Sequence, residues 1–182
     1  RDVTLGDLDG DGDLDIWESI QNSSPNRILL NDGEGNFIDS GQSLGNSNSR
    51  EVALGDLDAD GDLDAFVCND GQPNKVWIND GSGIFSDTGQ SLGGNVASLG
   101  VSLGDVDGDG DLDAWVANYS DRNKIWINDG SGSFSSNGQL LPTTLSREVR
   151  LGDLDGDGDL DAWVANSSNN PNKVWINDGV GC

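Results

Sequence analysis

The segment Asp7-Leu-Asp9-Gly-Asp11-Gly12-Asp13-Leu-Asp15 sets five carboxylates within nine residues, and the pattern returns at Asp56, Asp105 and Asp153, at offsets of 49, 49 and 48 residues. A period near fifty residues constrains the fold more than any other feature. One such unit is a supersecondary element that must bury its apolar face against its neighbours. The surrounding sequence repeats as well: Val101 to Gly104 stands before the third loop, Leu112 to Asn118 after it, then Asn123 to Gly130. The chain is therefore a single array over 1–182, with approximate units 1–49, 50–98, 99–146 and 147–182. Gly-Gln-x-Leu closes the first three, at Gly41 to Leu44, Gly89 to Leu92 and Gly138 to Leu141, and the fourth unit ends before it, one strand short.

Within a unit the apolar runs are four to seven residues long, rich in Val, Ile, Leu and Trp, and bounded by turn residues, which suits short strands. In the second unit the expected strands are Val52 to Leu54, Leu63 to Cys68 and Lys75 to Ile78, with a weaker fourth through Phe85 toward Leu92. Asn79-Asp80-Gly81 is a hairpin signal, because these residues tolerate the positive φ of tight turns. The six tryptophans form two columns, Trp17, Trp115 and Trp163 after the loop and Trp77, Trp126 and Trp175 in the third strand, with Phe66 and Leu29 in the remaining places. They are expected to pack between successive sheets; stacking of an exposed Trp on carbohydrate is the alternative.

Asp at loop positions one, three, five and nine gathers hard anionic oxygens around one point, and Gly at position six allows the chain to wrap it. That donor set suits calcium, which takes six to eight oxygens in irregular geometry, better than magnesium, which demands a near-ideal octahedron. Zinc prefers His or Cys, and the chain has no His. Four Ca2+ sites are expected, with side-chain ligands Asp7, Asp9, Asp11 and Asp15; Asp56, Asp58, Asp60 and Asp64; Asp105, Asp107, Asp109 and Asp113; and Asp153, Asp155, Asp157 and Asp161. Asp13, Asp62, Asp111 and Asp159 would add backbone carbonyls, with the Asp13 side chain directed to solvent. An EF-hand needs Glu at loop position twelve; Glu18 is there, but Val67, Val116 and Val164 occupy the equivalents and no helices flank the loops.

Charge supports a cationic partner. Acidic residues number 33 against 9 basic ones, for a net charge of -24, and compaction concentrates that repulsion. Nucleic acid and anionic membranes are poor partners for such a surface, and no run approaches the roughly 18 apolar residues of a membrane span. The chain opens on Arg1, not Met, so a processed, excised or truncated product is expected. Cys68 and Cys182 fit neither a redox pair nor a zinc site. Cys68 falls in a small-residue column with Ser19, Ala117 and Ala165, a packing position, whereas Cys182 could cross-link chains.

Each unit resembles an FG-GAP or VCBS-type repeat, the calcium-binding blade of integrin α-chain propellers and many bacterial surface proteins. The resemblance rests on the Asp loop paired with Asn31 to Phe37, Asn79 to Phe85 and Asn128 to Phe134, and covers the whole chain. It implies an all-β fold, a β-propeller-type array of four-stranded blades with a calcium loop between the first two strands of each. Such propellers usually carry about seven blades, within a general range of four to eight, so further chain or further copies are expected to cover the open faces.

Arg27, Lys75, Lys124 and Lys173 form one basic column, and Arg1, Arg50 and Arg147 precede an acidic residue at the first strand. They are expected to neutralise the loops, to pair with neighbouring units, or to be ordinary surface charges. Sequons at Asn22, Asn118 and Asn166 would permit glycosylation. Without His, no Ser-His-Asp arrangement is available. The reading is a non-enzymatic, secreted or cell-surface structural or adhesion module whose partners are calcium, other copies in head-to-tail array, or extracellular protein or glycan ligands. A lectin-like or enzymatic propeller acting on glycans is the alternative.

Overall fold

The computed structural model describes residues 2–179, and among these every regular element is a strand. Arg1 and Cys182, singled out above, lie outside the described residues. The first unit supplies β1 (Asp2–Gly6), β2 (Asp15–Ser19), β3 (Arg27–Asn31) and β4 (Phe37–Asp39). The second supplies β5 (Ser49–Gly55), β6 (Asp64–Asn69), β7 (Lys75–Asn79) and β8 (Phe85–Asp87). The third has β9 (Ala97–Gly104), β10 (Asp113–Arg122), β11 (Lys124–Asn128) and β12 (Phe134–Ser136); the fourth has β13 (Thr143–Gly152), β14 (Asp161–Asn166) and β15 (Lys173–Trp175).

Each unit is an antiparallel meander in chain order, and the first strands of successive units lie side by side. The Asp loop joins the first two strands of every unit. Two details differ from the sequence reading. The fourth strand stops after three residues, at Asp87, and Leu92 returns only as an isolated bridge to Asn74; Gly89, at φ 80°, breaks the run between them. The third and fourth units also share one seven-stranded sheet, because β10 is extended and pairs Tyr119 with Leu145 and Arg122 with Thr143 of β13.

Apolar side chains alternate along the strands toward both sheet faces, so the core lies between units. Trp17 of the first unit meets Phe85 of the second edge-on at 4.9 Å, and Phe66 of the second meets Phe134 of the third at 5.3 Å. A fully buried aromatic ring removes roughly 200 Å² from water, worth at most about 5 kcal/mol. The columns open at the two ends. Trp17 and Trp115 are fully buried, yet Trp163 in the last unit is 50% exposed; Phe85 and Phe134 are buried, yet Phe37 in the first unit is 43% exposed. The end surfaces thus present the two complementary halves of the internal interface.

Polar clamps fix the spacing of the units. Asn79 Nδ2 donates to the Leu8 carbonyl of the preceding loop at 2.8 Å, and Asn128 and Asn177 repeat this with Leu57 and Val106. Gln42 Nε2 donates to the Gly83 carbonyl while its Oε1 accepts from the Phe85 amide, so one side chain holds the next unit's hairpin by both edges. Gln90 does the same at Gly132 and Phe134.

Candidate metal centres

The loop geometry follows from which groups must be satisfied. The carboxylate at position one caps its own loop: Asp7 accepts from the amides of Gly10 and Gly12 at 2.9 and 3.0 Å, and Asp105 accepts from Gly108 and Gly110 at 2.7 and 3.0 Å. Position six can turn because it is Gly, with φ 94° at Gly12 and 97° at Gly61, a region costly for residues with a Cβ. The carboxylate at position nine is fully buried and ties two turns together. Asp64 accepts from the Leu57 amide at 2.9 Å and from the Asn79 amide at 2.8 Å, with the same pair of bonds at Asp15, Asp113 and Asp161.

Positions one, three and nine converge. Carboxylate oxygens of Asp7, Asp9 and Asp15 lie within 4.8 Å of one another, as do those of Asp56, Asp58 and Asp64, of Asp105, Asp107 and Asp113, and of Asp153, Asp155 and Asp161. Each triad could hold a metal ion. A test of fit lies at position three. Oδ1 of Asp9, Asp58 and Asp107 is buried with no hydrogen-bond partner, an arrangement that costs several kcal/mol for a charged oxygen and that a cation would satisfy. Burial first, then neighbouring carboxylates, raises the carboxyls of Asp9, Asp58 and Asp107, and burial pushes Asp64 and Asp113 up to about 6. A divalent cation reverses that preference.

Position five stands apart from the triads. Asp11, Asp60, Asp109 and Asp157 each accept the amide two residues on, at 2.9 to 3.0 Å, in a local turn. Position seven corrects an expectation: Asp13 is half-buried, and a Cβ on Gly33 would lie 2.5 Å from its Oδ2. The side chain is directed to the Asn-Asp-Gly turn, not to solvent, and Gly130 meets Asp111 in the same way.

The fourth site differs by what covers it. In the first two units the hairpin of the next unit lies over the loop, bringing Gly83 against Leu8 and Asp9, and Gly132 against Asp58. Among the described residues no hairpin lies over Asp153 and Asp155, and both are exposed. Three members of the basic column are engaged away from the loops: Arg27 pairs with Glu18 and Asp39, Lys75 pairs with Asp87 at 3.3 Å, and Lys173 lies over the Trp175 ring. Glu18 is thus engaged in β2. Cys68 is a buried packing thiol whose Sγ faces the Gly100 carbonyl, and burial raises it well above the ordinary thiol range. Of the sequons, Asn22 is exposed, whereas Asn118 is buried and its Nδ2 donates to the Arg122 carbonyl.

Fold and loops define a class, an all-β array of blade-like units each built around an acidic loop. The chain belongs to the FG-GAP-like repeat family, whose model matches residues 7–67, 56–116 and 105–164. Each match begins at a loop's first Asp and runs into the second strand of the following unit, so the family pattern spans the interface described above. A comparison with curated proteins gives no match. Among the described residues no helix is long and apolar enough to cross a membrane.

Proposed function

We propose that this chain is a calcium-binding, non-catalytic extracellular repeat protein, in which calcium rigidifies the loops so that the blades assemble or present a ligand-binding surface. The observation that carries the reading is the unpartnered, buried Oδ1 at position three, repeated at Asp9, Asp58 and Asp107 inside three carboxylate triads. Oxygen-only donors in a flexible loop suit calcium, with Asp11, Asp60, Asp109 and Asp157 and the position-seven carbonyls completing the shell by small rotations. Four ions would bring the charge from -24 to -16, each adding two.

FG-GAP-like repeats typically occur in extracellular proteins. Extracellular modules bind calcium at roughly 10⁻⁴ to 10⁻³ M, so folding becomes linked to the calcium outside cells. Head-to-tail assembly is the structural side of the proposal. A second copy would seat its Phe37 face on the Trp163 face as Phe85 seats on Trp17, and a heterologous contact of this kind closes into a ring or runs into a filament.

Isothermal titration calorimetry of the chelator-stripped chain tests the metal reading. Calcium uptake should show three stronger sites and one weaker, the weaker being the uncovered fourth loop. Absence of calcium binding at millimolar concentration would refute it.

A further inference from the structure

At the end of the first strands remote from the Asp loops lies a cavity of about 570 Å³, lined by Gln21, Arg50, Asp70, Leu99, Tyr119 and Arg147, with Ala97. Its size is within the roughly 300–1,000 Å³ of small-ligand sites. The lining comes from two repeat columns. Arg50, Leu99 and Arg147 occupy the same repeat position, in β5, β9 and β13, and Gln21, Asp70 and Tyr119 share another, just after β2 and β6 and within β10. Elsewhere the repeat keeps such columns nearly uniform, as with the four Asp loops. Here the first column keeps Arg at Arg50 and Arg147 around Leu99, while the second changes at every unit, from Gln21 to Asp70 to Tyr119, a variation that architecture does not require.

We infer that this cavity is a binding site for an acidic sugar, a uronate residue of a glycan. The reading deepens the ligand-binding half of the proposed function. The Arg147 guanidinium calls for an anion, and a planar carboxylate matches its fork of donors. Arg147 is poised for it: its guanidinium lies 5.3 Å from the Tyr119 ring centroid and makes no ion pair among the described residues. Arg50 is held by Asp70, its Nε donating to Oδ2 at 3.0 Å, and this ion pair fixes one wall of the cavity. Asp70 also offers carboxylate oxygens as acceptors, which a bare anion cannot use but sugar hydroxyls can. The ring edge of Tyr119 and the Leu99 side chain supply the small apolar surface that a pyranose needs.

The chain's acidity does not forbid an anion here. Ser49 to Gly55 separates the cavity from the second Asp loop, and six steps of about 3.3 Å make roughly 20 Å. At physiological ionic strength charges are screened over about 8 Å, so the loops are remote, while Arg147 and the Arg50–Asp70 pair are local and sum to one positive charge. The third unit's extended β10 also serves this place. By pairing Tyr119 with Leu145 it sets the phenol beside Arg147, two residues further on in β13.

The test is titration of the whole chain, saturated with calcium, with methyl glucuronide and with the neutral methyl glucoside, followed by NMR of amides 97–99, 119 and 147. The uronide should shift these signals saturably and the glucoside should not. Arg147→Gln should weaken uronide binding at least about tenfold, while its calcium-dependent melting stays that of the parent. The inference is overturned if uronide and glucoside bind alike, if neither binds, if Arg147→Gln binds as tightly as the parent, or if acetate or an aspartyl peptide matches the uronide. Loss of the calcium response in the parent chain would instead strike the metal reading, since the melting control reports it separately.

Discussion

Asp58→Asn should raise stability without calcium and reduce the stabilisation that calcium adds. Asp58 Oδ1 is buried and unpartnered, and its carboxyl is raised by burial and then by Asp60 and Asp56. In EDTA at pH 7.5 the ionised form is therefore a burden on the folded loop, and an amide of the same shape relieves it, so the variant should melt higher than the parent. In about 2 mM calcium, with a site Kd of roughly 10⁻⁴ M, binding adds RT ln(1 + ~20), about 1.8 kcal/mol per site. Exchanging one of three converging carboxylates for an amide should raise Kd at least about tenfold, leaving about 0.6 kcal/mol of that term. The stabilisation that calcium adds is then smaller in the variant by about 1.2 kcal/mol or more, so its calcium-induced rise in Tm should fall short of the parent's by roughly 2–5 °C for a chain of this size. Tryptophan fluorescence reports the transition well, because Trp17 and Trp115 are fully buried. If Asp58→Asn is destabilised equally in calcium and in EDTA, the carboxylate is a structural acceptor and the reasoning fails.

Phe85→Ala should cost about 3–5 kcal/mol in urea unfolding, since it empties the contact with Trp17, whereas Phe37→Ala in the same repeat position should cost under about 1 kcal/mol because that ring is half exposed. Ala59 sits at φ 63° where the other loops carry Gly, so Ala59→Gly should raise stability by about 1 kcal/mol, measured by the same unfolding curves. Glu51 is pushed up to about 7, by burial and then by Glu148 and Asp2, with Arg150 offsetting part of it. The folded state therefore favours the protonated form, and the cost of ionising it is absent below about 4.5 and complete above about 7. Glu51→Gln should accordingly gain on the order of 1 kcal/mol over the parent at pH 8 and almost nothing at pH 4.5, in unfolding curves recorded in EDTA.

The strands and loops were legible because each rests on local chemistry: apolar runs set off by Asn-Asp-Gly turns, and Asp at alternate positions around a Gly. The Trp columns announced a buried interface, and Trp17 meeting Phe85 bears that out. The clamps were less legible. Asn79 reads as a turn former, and only the placement of Leu8 in the preceding unit reveals its donor role. Gln42 and Gln90 recur in register with Gln139, and that recurrence was the available signal for a cross-unit contact. The direction of the Asp13 side chain is illegible for a related reason, since the Gly33 turn that receives it lies twenty residues on in sequence. The extension of β10 into β13 depends on Tyr119 to Arg122, where the third unit departs from the repeat, and no periodic argument reaches it.

The clamp from Asn79 to Leu8 joins residues 71 positions apart, and the same separation recurs at Asn128 and Asn177. Every unit therefore gains its last contacts only once its successor has been made. Folding in such a chain behaves like a zipper, in which stability is a sum over nearest neighbours and a lone unit is worth little. The fourth unit, over which no further hairpin lies among the described residues, should fray first in this chain, and amide exchange should quicken from the second unit outward to β14 and β15.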